Sequence, residues 1–232
     1  MLDEDKVKEL MNNRNYDEFK DRFGPASDSV RRGKTYRLKI AEEQAEKPRP
    51  EKEKIIESTN EFLEACGLIP IKNDDSIFEN PASITEEELE ERVLTRFENY
   101  DGTGKSLQDV KDIVWMKFTK DGHLGVVAAS FDIGFDIPKD DDDFNGQVSG
   151  VKKMPSSSGI IVYDLFKKRL CEKWNESFVL IFPLIGIPVG KDGNPVDRRN
   201  YECGIGNYLI EKEVPILDYY SHRLGPVRKI EI

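Results

Sequence analysis

The stretch FVLIFPLIGIPVGKDGNPVDRRNYECGIGNYLIEKEVPILDY, residues 178–219, decides the fold class. It begins with a continuous apolar run, Phe178 to Ile187, which is typical of a strand buried on both faces. A polar loop follows, then a segment with helical character near Tyr201 to Lys212, and then a further strand over Val214 to Tyr219. Because helices and strands alternate in this order, the pattern favours a parallel β-sheet with right-handed crossover connections.

The sequence before this stretch extends the same pattern. A helix is predicted from about residue 158, since Val162, Phe166 and Leu170 recur every four residues on one face. Gly125 to Ile137 is rich in β-branched and aromatic residues and predicts another strand. The expected fold class is therefore α/β (or α+β), with a C-terminal parallel β-sheet and crossover helices, preceded by a helix-rich N-terminal half.

A charged, proline-punctuated segment, AEEQAEKPRPEKEK at 41–54, is typical of a linker that leads into a helix. We therefore expect N-terminal helices and this charged linker to occupy residues 1–50. Residues 51–232 are expected to form a single α/β domain. Its first part, 51–120, is predicted to be helical, and the core of its sheet is predicted to lie within 121–222.

Apolar spacing gives the elements of the N-terminal half. Residues 3–23 predict one or two short helices, and 55–66 predict a longer helix that ends at Gly67. The alternation of apolar and basic residues over 36–40 predicts a strand. A capping box at Ser106 and Asp109 predicts the start of a helix that continues to Lys117.

The charge balance limits the partners. The formal net charge of −10 argues against general nucleic-acid binding, because phosphate backbones require clustered lysine and arginine. One basic cluster departs from this balance. We interpret it as a solvated edge or a mobile arm rather than a phosphate-binding strip. Its members are Arg31, Arg32, Lys34, Arg37 and Lys39.

Cysteine and histidine usage bears on compartment and cofactors. The three cysteines are far apart and the two histidines lack zinc-site spacing, so no metal and no cofactor are expected. Free thiols favour a reducing compartment. The acidic N-terminus lacks the apolar core of a secretory signal, and the longest apolar run is too short to span a bilayer. The sequence therefore predicts a cytoplasmic protein without membrane contact.

Two loops resemble parts of known ligand-binding motifs. Residues 99–106 end in Gly-Lys-Ser, as a phosphate-binding loop does, but a charged helix precedes them where a buried strand is needed. Residues 141–146 match part of a calcium-binding loop, but Lys152 stands where that loop needs glutamate. We interpret the first as a turn between helices and the second as a solvated acidic loop.

A Glu-x-Gly pattern follows the polar loop, at Glu202 and Gly204, and a short strand is predicted to begin near Pro215-Ile216. Over residues 158–219 the chain resembles the nucleoside 2-deoxyribosyltransferase-like and TIR-like N-glycosidases. The resemblance implies that Glu202 attacks or stabilises a ribose C1′ while the base departs. Cleavage of an N-glycosidic bond develops cationic character, which one fixed carboxylate can stabilise.

The same resemblance implies contacts to the substrate around Glu202. Candidate binding residues are Asp164 in the preceding helix, Asp197 in the loop, and the aromatic residues Tyr201 and Tyr208. The implied ligand is a nucleoside or nucleotide. A structural interpretation stays open beside it, since a glutamate at a helix start is favoured by the helix dipole and can pair with a neighbouring arginine.

Two functions of different classes therefore remain open. One is a nucleoside or nucleotide N-glycosidase or transferase that uses a single glutamate. The other is a non-catalytic, acidic interaction or regulatory protein of the cytoplasm, which the charge and the absence of a complete catalytic motif favour. This second function implies a protein partner or a homo-oligomer, and it predicts a large exposed apolar patch or a self-complementary surface.

Overall fold

The computed structural model describes residues 2–12, 14–79, 86–97, 112–130, 157–187 and 197–226 of the chain. The described helices are α1 (Glu4–Asn12), α2 (Tyr16–Phe23), α3 (Asp28–Arg31), α4 (Lys34–Ala45), α5 (Lys52–Ala65), α6 (Glu86–Phe97), α7 (Ser157–Lys167), α8 (Arg198–Glu211) and α9 (Tyr219–Arg223). The described strands are β1 (Ile77–Glu79), β2 (Ile113–Phe118), β3 (Leu124–Ser130) and β4 (Phe178–Pro183), and a 3-10 turn, Asn73–Ser76, precedes β1.

The four described strands form one sheet in the order β1-β4-β2-β3, and every neighbouring pair is antiparallel. The expected parallel sheet is therefore wrong, although the mixture of helices and strands is correct. A tight turn, in which the Thr119 N–H donates to the His123 carbonyl at 2.9 Å, joins β2 to β3. Such a hairpin fixes two strands as antiparallel.

The parallel expectation also fails at the end of the chain. The strand expected over 214–219 is reduced to a single parallel bridge between Ile216 and Leu124, and α9 begins at Tyr219. Strands β3 and β4 do run in the same direction, since both are antiparallel to β2. They are not neighbours because β2 lies between them.

Two further elements differ in type from the prediction. The segment 36–40 lies within helix α4, because Tyr36 and Ile40 are four residues apart and so share a helical face as readily as a strand face. The helix expected to continue to Lys117 is strand β2 where it is described, and all six of its residues are buried. In contrast, α5 ends at Ala65, followed by Gly67 at φ +73°, as expected.

Helix α8 lies against the sheet and positions the C-terminal elements. It packs on β3, on α1 and on α5, and nine of its residues are buried. Gly204 makes this packing possible, since a Cβ at that position would lie 2.3 Å from the Phe62 ring. Residues of α1 and α4, among them Val7, Leu10 and Ala41, belong to the same apolar core as the sheet.

A second, smaller apolar cluster lies between the N-terminal helices and α9. It contains Phe19, Ile40, Tyr220 and Leu224, with Phe23 and Tyr36 packed against it. Edge-to-face contacts between aromatic rings fix its geometry, such as the 5.1 Å separation of the Phe19 and Tyr36 ring centroids. Tyr220 of this cluster also lines the cavity described in the next section.

Among the described residues, no helix is long and apolar enough to cross a membrane.

Candidate functional site

Four arginine side chains from three separate segments converge on one cavity of about 300 Å³. Three of them belong to the basic cluster around α3 and α4, and the fourth, Arg14, comes from the connection between α1 and α2. The C-terminal end of the described chain closes the cavity. We call this the arginine pocket, and its lining consists of Arg14, Arg31, Arg32, Arg37, Tyr220, Ser221, Gly225 and Pro226.

Arg31 is the most deeply buried of the four, with only 5% of the residue exposed. Its Nη2 donates to the carbonyl oxygens of Leu224 at 2.7 Å and Gly225 at 3.0 Å. Its guanidinium lies over the ring of Tyr16 at 4.8 Å and over that of Phe19 at 5.0 Å. These contacts hold the group rigidly, yet its buried Nε–H has no hydrogen-bond partner among the described residues.

Arg37 reaches the pocket from α4 and is held by a buried carboxylate. Its Nη2 donates to Asp218 Oδ1 at 2.8 Å, to Oδ2 at 2.9 Å and to Ser221 Oγ at 2.6 Å. Asp218 also accepts hydrogen bonds from the hydroxyls of Ser158 at 2.6 Å and Ser221 at 2.8 Å. The Nε–H of Arg37 is buried and, among the described residues, has no partner.

Asp218 therefore joins α4, α7 and α9 in a single hydrogen-bonded group, which we call the Asp218 hub: Asp218, Arg37, Ser158 and Ser221. Burial acts to raise the pKa of Asp218. The charge of Arg37 and the hydrogen bonds from Ser158 and Arg37 outweigh it, so the net pKa lies below the ordinary value. Asp218 is thus a carboxylate at neutral pH.

The other two arginines lie closer to solvent. Arg14 Nη1 donates to the Pro226 carbonyl at 2.8 Å, which ties the N-terminal helices to the C-terminal turn. Arg32 is exposed, and its guanidinium makes no hydrogen bond or ion pair with the described part of the chain. Asp218 pairs with Arg37, and the exposed Asp28 lies 3.3 Å from Arg31. The charged residues that line the pocket are all arginines, in a chain of net charge −10.

The interpretation of the basic cluster as a solvated edge is wrong for two of its members. The Arg31 side chain is 6% exposed and the Arg37 side chain 16%. Sequence reasoning identified the cluster but missed Arg14 and the C-terminal turn, which are distant along the chain. The available signal was the local excess of arginine in an acidic protein.

Glu202 lies on α8 beside the free edge of the sheet. Its Oε2 accepts a hydrogen bond from the Ala129 N–H of edge strand β3 at 3.1 Å. It also interacts electrostatically with Arg199, one turn earlier on the helix. Further along the same edge, the Leu217 and Asp218 N–H groups donate to Leu124 and Gly125. Glu202 therefore continues the covering of an edge that would otherwise be open to pairing.

Asp197 caps the N-terminus of α8. Its Oδ1 accepts from the Arg199 N–H at 2.9 Å, and its carboxylate also binds the Arg199 guanidinium. The hydrogen bond from Arg199 is the main cause of the lowered pKa of Asp197. The adjacent Arg198 pairs with Asp112 at 2.9 Å. Asp197 and Glu202 thus share Arg199 as a neighbour.

The remaining candidates lie elsewhere. Asp164 pairs with Lys34 of α4, on the wall of a second cavity of about 510 Å³ between α4 and α7. Tyr201 is 1% exposed within the core, where burial is the main cause of its raised pKa. Tyr208 packs on Phe62, with ring centroids 6.0 Å apart.

Of the five candidates, Asp164 lines the second of the two cavities described here, and the other four line neither of them. The assignment of Glu202 as an attacking carboxylate, with these residues as substrate contacts, stays a prediction.

The two motif-like loops at 99–106 and 141–146 lie outside the described residues. In the part of the chain that the structure describes, no group of three or more metal-ligating side chains is close enough to hold an ion.

No protein-family model, no curated protein and no solved structure matches this chain.

Proposed function

We propose that the protein binds a small, multiply charged anion in the arginine pocket and acts there as a receptor rather than a catalyst. The observation that carries the proposal is the pair of buried Nε–H donors, on Arg31 and Arg37, which have no partner among the described residues although both side chains line one cavity. A nucleotide, the ligand class expected from the sequence, is one such anion.

The energetics of burial support a ligand at this position. A buried donor without a partner costs about 1–3 kcal/mol, and Arg31 and Arg37 each carry one. An anion in the pocket would accept charge-assisted hydrogen bonds from the lining arginines, which are worth about 1.5–3 kcal/mol each. The volume of about 300 Å³ lies at the lower end of the usual range for small-molecule sites.

The chemistry of the lining favours binding over turnover. The Ser221 hydroxyl donates to Asp218, and the Tyr220 hydroxyl donates to the Arg31 carbonyl, so both protons are already engaged. The other described lining residues are arginine, glycine and proline, which supply neither a nucleophile nor a general base near neutral pH.

Arg32→Gln is the sharpest test because Arg32 lines the pocket without structural contacts to the described residues. The matched control is Arg92→Gln, which removes the same charge from an exposed position on α6. Calorimetric titration would use inorganic phosphate, sulfate and adenosine 5′-monophosphate at low and high salt. We expect Arg32→Gln to weaken binding about tenfold or more, which corresponds to the loss of one charge-assisted hydrogen bond.

The control variant should bind as the wild type does, and added salt should weaken binding to both. Absence of binding for all three anions at low salt, or equal weakening by Arg32→Gln and Arg92→Gln, would contradict the proposal. Both variants should keep the wild-type melting temperature without ligand, so a change in affinity reports the pocket and not the fold.

A further inference from the structure

The second cavity, of about 510 Å³, lies between α4 and the C-terminal end of α7, and lysine supplies half of the residues that line it. Leu38, which packs against the main apolar core, gives it an apolar part. We call this cavity the lysine groove. Its charged lining residues are Lys34, Lys39, Lys167, Lys168, Glu42 and Asp164.

Two ion pairs account for both carboxylates of the lysine groove. The Lys34 ammonium of α4 binds Asp164 of α7. In the other direction, the Lys168 ammonium, directly after α7, binds Glu42 of α4. These pairs leave the other two lysines of the lining to be considered.

Lys39 and Lys167 form no ion pair with the described residues. Each ammonium group instead lies over an aromatic ring, 5.2 Å from the Phe23 centroid for Lys39 and 4.4 Å from the Tyr163 centroid for Lys167. An aromatic face orients an ammonium group but does not neutralise its charge. Both lysines are exposed, so a molecule that lies along the groove can reach them.

The complementary charge lies on another helix of the same chain. Helix α5 carries three glutamates that are exposed and that form no ion pair with the described residues. They are four and seven residues apart and therefore share one face of the helix. We call them the acidic stripe: Glu53, Glu57 and Glu64. Glu61 lies on the same face and is paired with Lys212 at 3.0 Å.

Within one chain the acidic stripe faces solvent, because α5 packs on α8 and α1 through its buried face. The groove of the same chain therefore does not hold it. Glutamates four residues apart on a helix, such as Glu53 and Glu57, repel each other. A basic surface from another molecule would offset this repulsion.

The groove and the stripe also agree in length. Along α4 the groove extends from Lys34 to Glu42, which is about 12 Å at the helical rise per residue. The stripe extends from Glu53 to Glu64, which is about 16 Å, and its first two glutamates are about 6 Å apart. At least two of its carboxylates therefore fit along the groove.

We infer that the protein self-associates by placing the acidic stripe of one copy in the lysine groove of another. This inference goes beyond the proposed anion binding and does not depend on it. The contact joins two different surfaces, so it closes into a two-fold dimer if each copy supplies both surfaces to the other, and otherwise continues into rings or chains. Exposed ion pairs contribute little individually, so the association is weak.

Sedimentation velocity of the full chain, from micromolar to submillimolar concentrations at constant ionic strength, measures this association. Lys39→Glu should weaken it about tenfold or more, because a like charge then faces the stripe. The matched control is Lys120→Glu, at an exposed position on the β2–β3 turn. Both variants have the same net charge, so a difference between them reports the groove. Lys167→Glu repeats the test on the other side of the groove.

Charge exchange gives the sharper result. Glu57→Lys should also weaken the association, and its control, Glu176→Lys, changes an exposed glutamate outside the stripe and should not. The double variant Lys39→Glu/Glu57→Lys should return to within about threefold of the wild type, because the pair is restored with its signs reversed. A mixture of the two single variants should associate too, since each keeps the surface that the other has lost.

A wild type that stays monomeric at every concentration would overturn the inference, and an acidic segment of a different protein would then be the occupant to seek. Equal weakening by Lys39→Glu and Lys120→Glu, or a double variant that stays as weak as the single ones, would place the contact elsewhere and overturn it as well. All the variants should keep the wild-type melting temperature as monomers, because the substituted positions are exposed. None of these outcomes bears on anion binding in the arginine pocket.

Discussion

The Glu202 end of helix α8 and the arginine pocket are both rich in charge, but they differ in how that charge is satisfied. Around α8, Asp197 binds Arg199, Arg198 binds Asp112, and the Glu202 carboxylate accepts from edge strand β3. In the arginine pocket, two buried Nε–H groups lack partners among the described residues. The charged side chains named in the first region therefore all have partners in the fold, whereas two arginines of the second each keep a buried donor without one among the described residues.

This difference teaches where to look for a ligand from the structure alone. A charged residue with a structural partner contributes to stability whether or not a ligand is present. Donors that are buried at a cost, in a cavity of one sign of charge, need another explanation, because folding would not favour them by itself. If this difference holds, variants of the charged groups around α8 change only stability, whereas variants of the exposed pocket arginine change only ligand binding.

The largest effect is expected at the Asp218 hub. Asp218→Ala leaves Arg37 without its carboxylate and two serine hydroxyls without their acceptor. We expect a loss of about 3–5 kcal/mol in the free energy of unfolding, as for other broken buried pairs. Urea denaturation measures this loss. The matched control is Asp28→Ala, which removes an exposed carboxylate from Arg31 and should change stability by less than about 0.5 kcal/mol. If the two variants lost the same free energy of unfolding, Asp218 would not be the carboxylate that holds the three helices together.

The same hub predicts the direction of acid sensitivity. The pKa of Asp218 is lower in the folded protein than its ordinary value, so its contribution to stability is fully present above about pH 4. That contribution is lost as the pH falls further, through the folded pKa. Denaturation at several acidic pH values should show a shallower decline for Asp218→Ala than for the wild type. A parallel decline would contradict the assignment.

An intermediate effect is expected at Gly204, the glycine of the Glu-x-Gly pattern. A methyl group there would lie 2.3 Å from the Phe62 ring and 3.1 Å from Met11, so Gly204→Ala should destabilise the protein by about 1–3 kcal/mol. Combining it with Phe62→Leu should cost less than the sum of the two single variants, because the collision is relieved. Strict additivity would show that close packing is not the reason for this glycine.

A smaller effect is expected at Glu202 itself. Glu202→Ala removes the acceptor for the Ala129 N–H and should cost about 1 kcal/mol, while Glu202→Gln keeps an acceptor oxygen and should cost less. An assay of NAD and nucleoside consumption with the wild type and Glu202→Gln separates this role from a catalytic one. Suppose that the wild type consumes substrate and that Glu202→Gln abolishes this turnover without a change in melting temperature. Glu202 would then be catalytic, and the conclusion that its role is structural would be wrong.

The sequence predicted helices and strands more reliably than their arrangement. The apolar run that became β4 and the helix that ends before Gly67 were identified correctly, because burial periodicity and glycine conformation are local properties. Strand direction is not local, so alternating elements indicated a parallel sheet where the β2–β3 hairpin makes an antiparallel one. Tyr36 and Ile40 show the remaining ambiguity, since a spacing of four suits both periods.

The candidate site illustrates the same limit. Arg31, Arg32 and Arg37 stood out in the sequence, but neither their burial nor the approach of Arg14 and Ser221 can be deduced from spacing. Those contacts arise from the packing of α3 and α4 against α9, which brings together residues nearly 200 positions apart, such as Arg31 and Leu224. Unpartnered donors become visible only once that packing is known.

The most direct test of the central claim is an NMR correlation spectrum of the arginine Nε–H groups during a titration with adenosine 5′-monophosphate. Arg223 is an internal control, since its side chain is 17% exposed, like that of Arg37 at 16%, but its Nε already lies 3.2 Å from Glu18. The account predicts that the Nε–H signals of Arg31 and Arg37 move downfield together while that of Arg223 stays in place. Unchanged signals at Arg31 and Arg37, or equal movement of all three, would contradict it.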